Sequence, residues 1–425
     1  MPRTFILLCT MALSSIALTG CKKPDQPLPI GNIDKDYDRP LPPGAFALRK
    51  IDPSQYPRFG DAWYKAKGTT LRDAVQSSIN YLKKPSSKKY YPLGPITHEK
   101  AMATLQAFLV TLDQSNSPEA LDEAIRRDYD VYMSIGCDDD GAVLFTGYYS
   151  PIFNGSKEQT AEYTVPLYRL PPGFTKDVEG NPLGGPYKTR AEIETSQELM
   201  GNEIVWLGDR FEAYVFTVQG SGFIRLPDQS LFEIGYAGHN GHEYTPIGRQ
   251  MVADGKIDKY KLSLDTLIRY FKEHPEDIDT YLHLNKRYVF FQESTGGPYG
   301  CLAEKVRPYH SIATDKDIFP RAGLAFVDTR IPDERDHGTK RPFRTFVLDQ
   351  DRGAAIRAPG RCDIYMGVGD EAGKMAGFTY SEGRLYYLFL KDGVQPPGQM
   401  AGQPGAAEST ESTESSGATM TSSGE

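Results

Sequence analysis

Apolar residues recur at helical spacing in the first third of the chain. Leu71, Ala74, Val75, Ile79 and Leu82 fall on one stripe behind Thr70, which reads as an N-cap. Leu105, Phe108, Leu109 and Leu112 repeat the pattern, and Ser117-Pro118 marks a third helix start, with serine as cap and proline at the first helical position. These stripes predict core-facing helices between Phe59 and Asp130, without chemistry of their own. At Ala142 the pattern changes. AVLFTGYYSP is a continuous run of buried-strand type, and EAYVFTVQGSGFIRLPDQSLFEIGYAG predicts three strands joined by Gly and Pro-Asp turns. SLDTLIRYFKEHPEDIDTYLHLNKRYVFF predicts a helix, a break at His274-Pro275, a second helix, and a strand at Tyr288 to Gln292 that returns the chain to its first domain. Further on, RTFVLDQD alternates and ends in acid, a Gly/Ala/Pro-rich connection follows, and RCDIYMG restarts a strand. Periodicity thus gives a mainly β chain with added helices.

The ends carry different signals. Met1 to Gly20 has Arg3, an apolar run FILLCTMALSSIAL and small residues before Cys21, the pattern of an export signal, too short to be a spanning helix. From Gln395 the chain is rich in Gly, Ser, Thr, Glu and Pro, with too few apolar groups to offset ordering entropy. The ordered remainder is long enough for two domains, or for one domain carrying an insertion. A net charge of -8 without a basic cluster argues against nucleic acid as a partner. No CxxC or HExxH occurs, and His239-Asn240-Gly241-His242 lacks zinc-site spacing, so neither a metal nor another cofactor is expected. Once Cys9 leaves with the signal and Cys21 is modified, Cys137, Cys301 and Cys362 remain. A Cys301–Cys362 pair is open in an oxidising compartment, but small buried apolar thiols are the favoured reading.

Candidate chemistry concentrates between Asp349 and Gly377, where acids sit among glycines. Asp351 ends one strand and Asp363 opens the next. A returning chain would bring the two carboxyl groups near one site, where repulsion and desolvation would let one stay protonated as a general acid. The plainer reading makes both of them turn residues. Gly367, Gly369 and Gly373 have the wrong spacing for a dinucleotide loop. Thr146 and Tyr148 in FTGYY suit sugar, through directional hydroxyls and an aromatic face.

This stretch resembles the C-terminal part of the membrane-bound lytic murein transglycosylase A family, whose pattern runs roughly QDTGGAI, a linker, then DxYxGxGxEAGxxAG. Gln350-Asp351, Gly353, Ala355-Ile356, Asp363-Ile364-Tyr365, Gly367, Gly369, Glu371-Ala372-Gly373 and Ala376-Gly377 match in order, while Arg352 and Ala354 depart from it. FTGYY with TVPLYRLP, Val218 to Asp228 (VQGSGFIRLPD), Gly235 to Gly248, and Ser311 to Thr329 extend the likeness over Phe145 to Lys391. Leu18-Thr19-Gly20-Cys21 resembles a lipoprotein processing site, which implies lipidation of Cys21, and Lys22 after it favours the outer membrane, facing the periplasm.

The resemblance implies a double-psi β-barrel interrupted by an inserted second β-barrel-like domain, with a groove between them. The expected segments are a signal (1–20), a linker (21–43), N-terminal helices and the first part of the barrel (44–150), the inserted β-rich domain (151–286), the second part of the barrel (287–394) and a disordered tail (395–425). It implies cleavage of peptidoglycan between N-acetylmuramic acid and N-acetylglucosamine with 1,6-anhydromuramyl ends, for cell-wall turnover. Asp363 is then the acid and subsequent base, Asp351 supports it, and Thr146, Tyr148, Gln219, Ser221 and Tyr236 hold the glycan. Asp315 falls on the first of three aspartates for which the barrel type is named. Implied partners are glycan strands, a membrane through the lipid anchor, and a cell-wall synthesis or lysis complex. Because a guanidinium at Arg352 would lower nearby carboxyl pKa values, the alternatives are a non-catalytic peptidoglycan-binding lipoprotein and an envelope tether.

Overall fold

The computed structural model describes residues 35–394, so the expected leader, Cys21 and the tail lie outside the described residues. Helices form at Thr69–Lys83, His98–Gln114 and Pro118–Asp128, where the stripes predict them. Their apolar faces share one core with Phe326 and Phe346 of the sheet beneath. Ser117 caps the third helix, its hydroxyl accepting from the Ala120 amide at 3.1 Å. Thr70 is not a cap. The first helix begins at Thr69 with Gly68 in the cap position, because glycine serves there nearly as well as threonine and the earlier start lengthens the helix.

The strands are β1 (Leu48–Lys50), β2 (Tyr129–Ser134), β3 (Val143–Ser150), β4 (Ile152–Ser156), β5 (Val165–Tyr168), β6 (Glu203–Leu207), β7 (Gly222–Arg225), β8 (Leu231–His239), β9 (Val289–Glu293), β10 (Ser311–Ala313), β11 (Leu324–Asp333), β12 (Asp336–Asp351), β13 (Arg361–Val368) and β14 (Tyr380–Leu390). They divide into two sheets. One runs β1-β2-β14-β11-β12-β10-β13-β3, and a further β14–β3 pairing closes its last six strands into a barrel. The other runs β5-β6-β4-β7-β8-β9, and a bridge between Arg169 and Phe291 draws its two outer strands together. The molecule is therefore mainly β with helices, and the chain leaves the barrel at Pro151, between β3 and β4.

Two local expectations are corrected. EAYVFTVQ is not a strand but most of the helix Arg210–Gln219. Asp209 caps it by accepting from the Glu212 amide at 2.8 Å, Phe211, Tyr214 and Val215 pack on one face, and Gly220 ends it at φ 82°, a left-handed conformation that glycine adopts without strain. The aromatic and β-branched composition that suggested a strand is outweighed by caps at both ends and a three- and four-residue apolar spacing. The strand predicted at Tyr288 to Gln292 forms as β9, but it pairs with β8 of the second sheet rather than re-entering the barrel, so the inserted sheet runs past residue 286.

Strand β10 is three residues long, yet it joins β12 on one edge and β13 on the other. What fixes it is the segment immediately after it. Lys316 and Asp349, both with fully buried side chains, form an ion pair. Thr314 and Tyr387 donate to the other Asp349 oxygen, each at 2.7 Å. The network joins the end of β10 to β12 and β14, and removing one charge leaves the other buried without compensation. Lys316→Met should therefore destabilise the protein by about 3–5 kcal/mol in urea unfolding. Lys316→Met with Asp349→Leu should recover part of that loss, since only the Thr314 and Tyr387 hydroxyls are then left without their acceptor. A single variant as stable as the wild type would show that the pair does not hold the barrel.

Candidate active site

Cross-strand register places four residues in one row of the barrel. Asp351 on β12 pairs with Ala313 on β10, Ala313 pairs with Asp363 on β13, and Asp363 pairs with Thr146 on β3. Paired residues project from the same face of a sheet. The two aspartates thus share a face but do not flank one hairpin. Strand β10 lies between them, which sets their Cα atoms about 10 Å apart, two interstrand spacings. The small side chain at Ala313 leaves the space between the carboxyl groups open.

Both carboxyl groups are half-buried, and both are pushed above the usual carboxylate range. The cause in each case is burial, not the mutual repulsion expected from closeness in sequence. Against it, the Thr146 hydroxyl donates a short hydrogen bond to Asp363 Oδ1, and the Arg361 guanidinium also favours the ionised form. Asp351 is tied down differently. Its Oδ1 accepts from the backbone amides of Cys301 at 2.9 Å and Arg352 at 2.8 Å, and the charge of Lys316 acts on it as well. The Tyr148 hydroxyl, sealed from solvent, faces Asp351 without closing a well-formed hydrogen bond. Asp363 is therefore the carboxyl group with a single side-chain partner and a raised proton affinity, the properties of a group that hands over a proton. Asp351 is the more constrained of the two.

Asp351, Asp363, Thr146, Tyr148, Gln219, Ser221 and Tyr236 all line one groove of about 1410 Å³ between the barrel and the inserted sheet. That volume exceeds the roughly 300–1,000 Å³ of a small-molecule pocket and fits an extended ligand. Gln219 spans the junction of the two domains, its Oε1 accepting from the Tyr149 amide at 3.3 Å. The Tyr236 hydroxyl donates to the Glu179 carbonyl at 3.1 Å.

Other candidates have structural roles. Asp315 caps a turn, Oδ1 accepting from the Asp317 amide at 3.1 Å and Oδ2 from the Ala358 amide at 3.2 Å. Asn240 is fully buried, bridging Lys188, Lys286 and Tyr288 of its own domain. Among the described residues Cys137, Cys301 and Cys362 are unpaired, and Cys301 is exposed rather than buried, because it lies on the open groove wall, where its backbone amide serves Asp351.

Arg352 does not act as its position in sequence suggests. Its guanidinium turns to Glu179 at 2.8 Å and Asp317 at 2.6 Å, so its charge is spent away from Asp351. Glu179, on the inserted domain, also takes Arg321 at 2.7 Å and the Tyr90 hydroxyl at 2.9 Å, and so fastens the two walls of the groove. A second fastener is Asp38, which binds Arg361 of the barrel at 2.8 Å and Arg249 of the insert at 2.5 Å. Sequence reasoning missed these fasteners, whose partners lie up to 323 residues apart and share no local signal.

Residues 144–292 match the family described as MltA specific insert domain, and residues 310–389 match the 3D domain. The membrane-bound lytic murein transglycosylase A homolog of Buchnera aphidicola is 30% identical over 265 residues, 61% of this chain and 69% of that protein. The crystal structure of a membrane-bound lytic murein transglycosylase from Agrobacterium tumefaciens superposes with a TM-score of 0.66 at 25% identity, covering 81% of this chain and 98% of that one. That of Escherichia coli MltA with bound chitohexaose gives 0.61 at 23% identity, covering 85% and 94%, and is alike in fold.

In a carboxyl-detected NMR titration, Asp363 should have its midpoint above 3.8, the ordinary value for an aspartate. Because the Thr146 hydroxyl stabilises the carboxylate, Thr146→Val should move that midpoint further up, and Arg361→Gln should move it in the same direction. A midpoint at or below the ordinary value, or a downward shift in Thr146→Val, would contradict the burial account.

Proposed function

Since the chain belongs to the membrane-bound lytic murein transglycosylase A family, we propose that Asp363 carries out its chemistry as acid and then base, on a peptidoglycan strand lying in the groove. The enzyme is a lytic transglycosylase, a lyase acting on murein. The observation that supports this role for Asp363 is its setting: a carboxyl group with raised proton affinity lining a groove of about 1410 Å³, with the Thr146 hydroxyl as its one side-chain hydrogen-bond partner among the described residues.

In this reading Asp363 protonates the oxygen between N-acetylmuramic acid and N-acetylglucosamine as the bond to C1 breaks. The resulting carboxylate then takes the proton of the muramic C6 hydroxyl as that oxygen bonds to C1. Atoms balance without water, and the product is a 1,6-anhydromuramyl end. One carboxyl group suffices, whereas hydrolysis needs a second one to activate water or attack carbon. Asp351, held by two backbone amides, keeps the loop that follows β12 in place and shapes the pocket beside Asp363. Thr146 orients the acid, while Tyr148, Gln219, Ser221 and Tyr236 position sugars, so that reacting groups meet without a further entropy cost. The pairing of Arg352 with Glu179 and Asp317 rather than with Asp351 supports this reading over that of a non-catalytic binder. A lipidated Cys21 would hold the enzyme on the outer membrane facing the periplasm, for cell-wall turnover. Among the described residues no helix is long and apolar enough to cross a membrane.

The full chain, solubilised in detergent and incubated with purified peptidoglycan beside an Asp363→Asn variant, should release soluble muropeptides lighter by one water than hydrolytic products. The variant, folded by circular dichroism, should release at least about a hundredfold less, the lower range of general acid–base contributions. Reducing-end products would instead require a hydrolase, and full activity in Asp363→Asn would remove this residue from the mechanism.

A further inference from the structure

The arginines that line the groove fall into two groups. Arg190, Arg249, Arg321, Arg352 and Arg361 each close an ion pair of 2.9 Å or less. Arg287 and Arg357 do not. Arg287 stands just before β9 on the inserted wall, is half-buried, and donates from Nη1 only to the His242 carbonyl at 3.2 Å. Arg357 stands on the opposite wall, in the loop between β12 and β13, with its nearest carboxylates at 3.6 and 3.7 Å. The two are close enough for their charges to oppose one another, with that of Arg352 adding to the effect and Tyr236 and Glu243 only partly offsetting it. Burial and these like charges hold Arg287 below the usual arginine range.

A half-buried guanidinium that has surrendered water without gaining a carboxylate is costly, and a second cation opposite it raises the cost. An anion placed between the two would remove both penalties, with the forked donor geometry that guanidinium offers a carboxylate. A bare chain of N-acetylated sugars carries no charge, so such a pair would have nothing to bind on it. Murein differs in bearing acids on the lactyl side group, either as the free lactyl carboxylate or as carboxylates of an attached peptide.

We propose that Arg287 and Arg357 form a carboxylate-binding subsite that reads the acidic substituents of the glycan and so selects murein over uncharged amino-sugar polymers. This rests on the glycan-cleaving reading above. Because the two arginines come from opposite walls, a bound carboxylate also converts a repulsive contact across the groove into a bridge.

The test measures binding of three ligands to the full chain in an Asp363→Asn background, so that strands stay whole. They are chitohexaose, murein strands freed of peptide and carrying lactyl carboxylates, and strands bearing peptide. Arg287→Gln and Arg357→Gln should each weaken at least one acidic ligand by about tenfold, in a salt-sensitive manner, and chitohexaose by less than about twofold. Arg287→Lys should restore part of the loss. Loss on both murein ligands would assign the lactyl carboxylate, and loss only on peptide-bearing strands would assign the peptide. Equal losses on all three ligands would reveal a merely structural role, and no loss on either acidic ligand would also overturn the subsite. If the background protein bound none of the three, the glycan-cleaving reading itself would fall.

Discussion

The buried Lys316–Asp349 ion pair is the interaction on which the row of Asp351, Ala313, Asp363 and Thr146 depends. Without it the three-residue strand would keep its ladder bonds, the Ser311–Gln350 hydrogen bond and the packing of Ile312, but the turn that follows it would lose its anchor to β12 and β14. With it, the turn after β10 is fixed to β12 and, through Tyr387, to β14. The spacing of Asp351 and Asp363 is set by that strand, and so is the gap above Ala313. The same lysine reaches electrostatically to Asp351. Support of the barrel and tuning of its supporting carboxylate are thus joined in one side chain, which couples the stability of the core to the electrostatics of the groove.

Much of the architecture was legible because it is local. Stripes at Leu71 to Leu82 and Leu105 to Leu112, the Ser117-Pro118 start, and the runs ending at Asp351 and opening at Asp363 each carry their own periodicity or cap. Failures came where two local signals competed or where the decisive partner was remote. EAYVFTVQ has strand-like composition, and it is identified as helical by Asp209 and Gly220 at its ends together with the spacing of Phe211, Tyr214 and Val215. Asp351 and Asp363 share one face and one groove, but nothing in the sequence between them announces that β10, from some forty residues earlier, passes between. The charge at Arg352 was read from its neighbour in sequence, whereas its partner Glu179 lies 173 positions away. Chemistry carried by one strand can be read from a motif, but pairing across a groove cannot.

The groove is built from two walls with different duties. The barrel supplies the row of Asp351, Asp363 and Thr146. The insert supplies Gln219, Ser221 and Tyr236 and closes the far side. Ion pairs at Glu179 and at Asp38 each join the barrel to the inserted domain and so fasten the two walls of the groove. Walls tied at two separate points hold the groove between them at a fixed width.

The closure of the barrel through β14 has a consequence for the timing of activity. Among the described residues strand β3, which carries Thr146, pairs with β13 and β14 alone, and the Thr146–Asp363 bond joins residues 217 positions apart. The inserted sheet, by contrast, draws all its strands from residues 152–293 and can pair while the rest of the polypeptide is still being made. Asp363 and its hydroxyl partner therefore rest on a pairing between strands far apart in sequence, which forms more slowly than the nearer pairings of the inserted sheet. Completion of the groove is thus expected late in folding, after the inserted wall has its own pairings.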